Sequence, residues 1–202
     1  MDTENDDTHK EKMTRRKEAF EKRLAQATKE KGLIIVNTGA AKGKTTAALG
    51  LAFRALGQGM KVGIVQFIKG AIPTGEASLV ARLNLPIEMH TMGDGFTWNT
   101  QDRSKDVASA RLAWDKAVAL LHDKSLGMVI LDELNVVLHY DYLPLDEVLE
   151  ELRNKRPMLH VVVTGRNAKP GLIELADLVT EMKLVKHPYR EQGIKPQKGI
   201  EF

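Results

Sequence analysis

The chain has 202 residues, no cysteine, 43% hydrophobic and 28% charged residues, and a net charge of +3. That is enough to bury a full core in one domain, or one domain with an arm, and the composition is that of a soluble globular protein. Disulfides, thiolate catalysis and thiolate-bound zinc are excluded, and with no membrane-length apolar run and no leader pattern a cytoplasmic location without membrane partners is expected.

In chain order, residues 1–12 are polar and expected to be disordered. Residues 14–29 favour helix, with Phe20, Leu24 and Ala27 on a thin apolar stripe that Gly32 brings to an end. The basic residues between positions 10 and 31 are interleaved with Glu11, Glu18, Glu21 and Glu30. Such mixing marks a solvated helix face and not a phosphate-binding surface, so no nucleic-acid partner is expected. An arm, 1–31, thus precedes a domain, 32–202.

Residues 33–36 are apolar and β-branched, a buried parallel strand. The run 38–46 breaks the pattern with Gly39 and Gly43, then gives Lys44, Thr45 and Thr46, and 47–56 reads as helix. Strand, glycine-rich turn, Lys-Thr and helix form the physical recipe for holding a polyphosphate. Backbone N–H groups and the helix N-terminus meet anionic oxygens, the lysine neutralises charge, and a threonine hydroxyl reaches Mg²⁺. The run departs from G-x-x-x-x-G-K-[ST] in having Thr38 at the first glycine position, with Gly39 one residue late.

A second strand, 61–67, follows Gly57-Gln58-Gly59; those glycines come after a helix, so a dinucleotide fingerprint is rejected. Next come a loop at 70–76, a short helix at 77–83, a strand at 86–90 and a loop at 93–100. A long helix is expected at 102–123, then a strand at 128–131 ending in Asp132-Glu133. Pro144 opens a helix running to Arg153. A strand at 159–164, a short helix at 170–176, a last strand at 178–184 and a polar tail at 186–202 complete the chain. Repeated βα units predict an α/β fold with a mostly parallel sheet and helices on both faces. Ligands in such sheets bind at the carboxyl ends of strands, which gathers the loops 38–46, 67–76, 132–135 and 164–167.

An apolar strand delivering Asp132 and Glu133 to its polar end has the form of a Mg²⁺-approaching carboxylate motif, although a strand ending at a solvated turn looks the same. Phe96 and Trp98 share the glycine-flanked loop 93–99 in a chain with only two tryptophans. They read either as an apolar wall for a large flat ligand or as aromatics that pin the loop. The six histidines are scattered without an H-x-x-x-H pair, and no G-x-S-x-G elbow occurs.

The segments 39–46, Val65-Gln-Phe-Ile-Lys-Gly70, Gly95-Phe-Thr-Trp98, Leu131-Asp-Glu-Leu134, Tyr140-Asp-Tyr-Leu-Pro144, Thr164-Gly-Arg166 and Val185-Lys-His187 occur together and in order. Over residues 32–202 the chain resembles the P-loop class of ATP:corrinoid adenosyltransferases. The resemblance implies a P-loop, RecA-like fold and transfer of the 5′-deoxyadenosyl group of ATP to Co(I) of cobalamin or an incomplete corrinoid, releasing triphosphate. It implies nucleotide contacts from Thr38, Gly39, Ala40, Ala41, Lys42, Gly43, Lys44, Thr45, Thr46, Arg54, Lys69, Glu76 and Arg166. It further implies Mg²⁺ at Thr45, Asp132 and Glu133, with Lys44 and Glu133 in the catalytic set beside Phe96 and Trp98, which would occupy the corrinoid's lower face. A reduced flavin or flavodoxin-like donor, a homodimer and an N-terminal arm able to cover the site also follow from it. Ala40 and Ala41 stand where the resemblance has Asn or Asp and then Gly; alanine at 41 resists positive φ. From residue chemistry alone, a small P-loop kinase or NTPase, a RecA-like nucleic-acid module and an ATP-binding regulatory protein remain open.

Overall fold

Apolar, β-branched segments build the centre of the molecule. The computed structural model describes residues 3–68, 74–92 and 102–200, and the chain divides between Lys31 and Gly32 into two compact units. In the second unit the strands are β1 (Ile34–Thr38), β2 (Lys61–Gln66), β3 (Ile87–Thr91), β4 (Leu126–Asp132), β5 (His160–Thr164) and β6 (Leu178–Glu181). They pair in parallel in the order β3-β2-β4-β5-β1-β6. The helices are α2 (Lys44–Gly57), α3 (Gly75–Leu83), α4 (Arg103–His122), α5 (Leu134–His139), α6 (Leu145–Arg153), α7 (Pro170–Leu175) and α8 (Pro188–Gln192).

Alternation along the strands sorts two cores. Val36, Val129, Leu131 and Val163 pack on one face with Trp114 and Leu121 of α4 and Val148 of α6. Ile35, Ile64, Ile130 and Val162 pack on the other with Ala48, Leu49 and Ala52 of α2. Helices therefore cover both faces, as the strand pattern predicts. The small alanines let α2 lie close to the sheet and so fix where its N-terminus sits. The buried Trp114 donates its indole N–H to Glu147 at 2.9 Å, and Arg111 clasps the same carboxylate.

The start of β1 is pinned by side chains and by close approach. Gly32 donates to the Pro157 carbonyl, and a Cβ there would meet the Leu159 oxygen at 2.1 Å. Gly32 thus allows backbone contact; α1 has already ended at Gln26. Leu33 N–H donates to His160 Nδ1 at 3.1 Å, and Ile34 N–H to Asp177 Oδ2 at 3.0 Å.

Several elements differ from expectation. In the first unit, α1 runs from Thr3 to Gln26, so helix replaces the disorder expected before residue 12. No glycine or proline interrupts it, and i,i+4 pairs such as Glu11–Arg15 and Lys17–Glu21 support an exposed polar helix. Phe20 and Leu24 are exposed on it. Helix α5 was not expected: residues 132–135 read as a loop after the strand, and no element was assigned between there and Pro144. β6 ends at Glu181, short of 184, and the tail contains α8, entered through Pro188 with His187 Nδ1 accepting from Tyr189 N–H. Among the described residues no helix is long and apolar enough to cross a membrane.

Burial, with Lys155 nearby, holds His160 below the ordinary imidazole range, and its Nδ1 must be unprotonated to accept from Leu33. The unfolded imidazole protonates first, so stability falls as pH drops below about 6.5 and levels off beneath the lowered folded value. The expected outcome is a steeper loss of melting temperature across that window in the wild type than in His160→Asn, whose amide oxygen can accept the same bond. Equal slopes in thermal melts would remove this role from His160.

Candidate active site at the carboxyl edge of the sheet

Among the described residues, the buried polar side chains are Asn37, Thr38, Lys44, Gln66, Asp132, Asn135 and Thr164. All lie at strand carboxyl ends or in the first turn of the helix that follows. Buried polar groups are costly unless paired, so their confinement to one edge marks the place where the fold is built for chemistry.

After β1 the loop turns on two glycines: Gly39 at φ 98° and Gly43 at φ 104°. Ala40 and Ala41 are not among the positive-φ residues, so the loop takes its path without the glycine that the sequence lacks at 41. Its outer wall is Met182, just beyond β6. Met182 N–H donates to the Thr38 carbonyl at 2.8 Å, and Ala41 N–H donates to the Met182 carbonyl at 2.9 Å. A Cβ on Gly39 would meet that carbonyl oxygen at 2.5 Å. Thr38 Oγ1 accepts from Ala168 N–H at 3.2 Å, tying the loop to the turn after β5.

Helix α2 begins directly at Lys44. Ala47 N–H makes the first helical bond, to Gly43, which leaves the N–H groups of 44–46 at the mouth of the loop without intrahelical acceptors. No acidic residue sits in that first turn, so the helix end favours an anion. Lys44 Nζ donates to the Gly39 carbonyl at 3.0 Å and the Ala41 carbonyl at 2.6 Å, leaving one of its three hydrogens for a ligand. Burial is the main cause that lowers its pKa, and Glu133 is the strongest opposing charge; Arg166, Asp132 and Lys42 are further charges that it feels.

Asp132, at the end of β4, is 1% exposed. Its Oδ1 accepts from Thr45 Oγ1 at 2.8 Å and Thr164 Oγ1 at 2.7 Å, and its Oδ2 from Gln66 Nε2 at 3.1 Å. Glu133 follows in the left-handed region, at φ 65°, a conformation that costs a non-glycine residue on the order of 1 kcal/mol. Its N–H is held by Thr164 Oγ1 at 2.9 Å. Gly165, at φ 124°, leads into Arg166, and its carbonyl accepts from Asn135 Nδ2 at 3.0 Å.

The structure thus gathers Thr38, Gly39, Ala40, Ala41, Lys42, Gly43, Lys44, Thr45, Thr46, Asp132, Glu133 and Arg166. Arg54 is not brought to the loop within this chain: it is exposed in the last turn of α2, about 15 Å along the helix from Lys44. Glu76 lies in the first turn of α3, a helix capped by Thr74, with no contact to the loop shown. Lys69, Phe96 and Trp98 lie outside the described residues. Sequence reading gave no role to Gln66, Thr164 or Asn135, although the first two fall in segments that carry the resemblance. A signal existed, since Gln66 and Thr164 end apolar strands as Asp132 does, but a polar strand end is too common to single out.

The donor set bears on Mg²⁺. Among the described residues no cluster of three or more carboxylate or imidazole groups could hold a metal alone. A threonine hydroxyl whose hydrogen is given to a carboxylate, beside a polyphosphate loop, suits an ion that keeps waters and takes its remaining oxygens from substrate phosphates. The residues present therefore fit Mg²⁺ bound together with a nucleotide.

A strand feeding a glycine-turned loop into a helix N-terminus, with the carboxylate strand β4 one strand away across β5, defines a RecA-like P-loop α/β protein. Within that class the chain belongs to the ATP:corrinoid adenosyltransferase BtuR/CobO/CobP family, whose model matches residues 30–202. It is similar to the corrinoid adenosyltransferase of Pseudomonas aeruginosa, 52% identical over 199 residues and 98% of each chain. That of a Sinorhizobium species is 54% identical over 202 residues, 98% of this chain and 94% of its own. That of Escherichia coli K12 is 47% identical over 197 residues, 98% of this chain and 99% of its own.

Gly39→Ala and Ala41→Gly separate the two loop positions. A left-handed alanine costs about 1–2 kcal/mol before the clash with Met182 is counted, and a kcal/mol is roughly 2–4 °C at this size. Gly39→Ala is expected to melt several degrees lower and to lose ATP binding, and Ala41→Gly to change both little. The opposite ranking in melts and titrations would contradict this loop geometry.

Proposed function

We infer that this protein transfers the 5′-deoxyadenosyl group of ATP to the Co(I) centre of a corrinoid, releasing triphosphate, in adenosylcobalamin biosynthesis or salvage. Support comes from relatives named corrinoid adenosyltransferase that match nearly its whole length. The observation that carries the mechanism is the loop, helix end and donor-held Asp132 brought together at one edge of the sheet. In the reaction the cobalt of the substrate attacks C5′ with its electron pair. The C5′–O bond breaks, the pair leaves on triphosphate, and cobalt becomes formally Co(III).

The chain's work is binding and charge. The α2 N-terminus and Lys44 hold the triphosphate and stabilise the charge that grows on it as a leaving group. Thr45 and Asp132, with Glu133, would hold Mg²⁺, which would neutralise further phosphate charge when bound. Arg166 reaches the same anion, and Lys69, Glu76 and Arg54 are assigned to the nucleotide on the family resemblance. Phe96 and Trp98 take the corrinoid's lower face; a four-coordinate centre has no axial donor opposing the added electron, which eases reduction of Co(II). Holding C5′ over cobalt supplies much of the rate advantage. The protein works as a cytoplasmic homodimer fed by a reduced flavin or flavodoxin-like donor.

The test is anaerobic: protein, Mg·ATP and chemically reduced cob(I)alamin, followed by visible spectrum and triphosphate assay. A light-sensitive alkylcobalamin with stoichiometric triphosphate is expected; ADP and phosphate with no spectral change would overturn the reading. Lys44→Ala is expected to lose at least about 10²-fold in turnover, the scale of one removed charge-stabilising donor. Trp98→Ala should lower the reaction started from Co(II) more than that started from preformed Co(I), and equal losses would remove the lower-face role.

A further inference from the structure

Gln66 belongs neither to the phosphate loop nor to the Asp132-Glu133 motif, yet its side chain is 2% exposed beside both. It ends β2 in register with Thr91 of β3 and Asp132 of β4. Thr91 Oγ1 donates to Gln66 Oε1 at 3.0 Å, and Gln66 Nε2 donates to Asp132 Oδ2 at 3.1 Å. This orientation of the amide is fixed by chemistry: flipped, its oxygen would face the carboxylate, acceptor against acceptor. The carboxylate therefore sets which way the buried amide points, the Thr91 hydroxyl on the edge strand holds the amide's other end, and the amide grips one oxygen of Asp132.

The grip matters because Asp132's other oxygen takes the hydrogen of Thr45. A threonine hydroxyl has one hydrogen; with that committed, its lone pairs face outward. Were the carboxylate free to turn, the Thr45 hydrogen and lone pairs would turn with it. We propose that Gln66, clamped by Thr91, is a positioning residue that fixes the carboxylate plane of Asp132 so that Thr45 presents its lone pairs to Mg²⁺. The proposal rests on the Mg²⁺ reading above and adds to it a partner that neither motif contains. Backbone bonds hold the strand ends independently, Met92 N–H to the Gln66 carbonyl and Phe67 N–H to the Asp132 carbonyl, each at 3.0 Å. Gln66→Met, similar in length and without the amide, keeps those bonds.

The experiment is calorimetric titration of ATP into the full chain without corrinoid, once in excess Mg²⁺ and once in EDTA. The ratio of the two affinities is the Mg²⁺-dependent gain. Loss of an outer-shell partner costs a metal site about ten-fold or more, so Gln66→Met is expected to lower the gain about ten-fold. Affinity in EDTA should stay within about two-fold of wild type, because the loop's own donors are untouched. Thr91→Val is expected to lower the gain in the same direction by a smaller factor. A folded Gln66→Met with the full gain overturns the proposal, as does equal weakening in Mg²⁺ and EDTA, which a merely structural role predicts. If Gln66→Met does not fold, Thr91→Val decides: a reduced gain supports the proposal and an unchanged gain overturns it. A wild type with no Mg²⁺-dependent gain would instead sink the metal reading itself, and this proposal with it.

Discussion

A carboxylate buried as completely as that of Asp132 must be supplied with donors, and much of the site follows from how this chain supplies them. Thr45 comes from the helix after the phosphate loop, Thr164 from β5 and Gln66 from β2. Each donor requires its strand or helix to end at one level, so the register of the parallel sheet and the placement of α2 are both tied to this one group. The bonds are short and out of water, where hydrogen bonds to an ionised acceptor are strongest and an empty acceptor is most costly. Thr164 does double duty, accepting from the Glu133 N–H while donating to Asp132. That second bond helps to hold Glu133 in its left-handed turn and so aims its carboxylate's charge toward Lys44.

The phosphate loop solves a related problem with fewer glycines than its pattern suggests. Its two positive-φ turns fall at Gly39 and Gly43, and the backbone of Met182 carries the stretch between them as if β6 continued beside it. Alanine at 40 and 41 is therefore compatible with the turn. Lys44 is held inward by two loop carbonyls, which orders the long side chain before a ligand arrives and reduces the entropy lost when one binds.

How much of this could be read from residues depends on the range of the signal. The loop, the carboxylate strand and the alternation of strand and helix are local patterns and were legible, as was the family from motifs spread along the chain. Helix α5 was hidden because Leu134–His139 is only six residues long and starts directly at the turn of Glu133. Helix α8 was hidden in a tail that is polar on average, though Pro188 was a usable marker. Arg54 is a different case: the resemblance assigns it to the nucleotide, and helix geometry places it about three turns from Lys44 in its own chain. Gln66 and Thr164 needed strand register to acquire meaning, because only pairing of β2, β4 and β5 sets them on either side of Asp132.

The chemistry of the edge is consistent throughout. Asp132 accepts hydrogen bonds from Thr45, Thr164 and Gln66, three donors fixed by three different elements. Lys44, the α2 N-terminus and Arg166 all present positive potential toward one mouth. Such a site is suited to holding charge in place. A displacement in which the nucleophile brings its own electron pair, and only the leaving group gains charge, asks of the protein just that: fixed donors at the departing oxygens and a fixed line of approach. A γ-phosphoryl transfer to a hydroxyl would add the need for a base aimed at that hydroxyl, whereas Asp132 is already held by Thr45, Thr164 and Gln66.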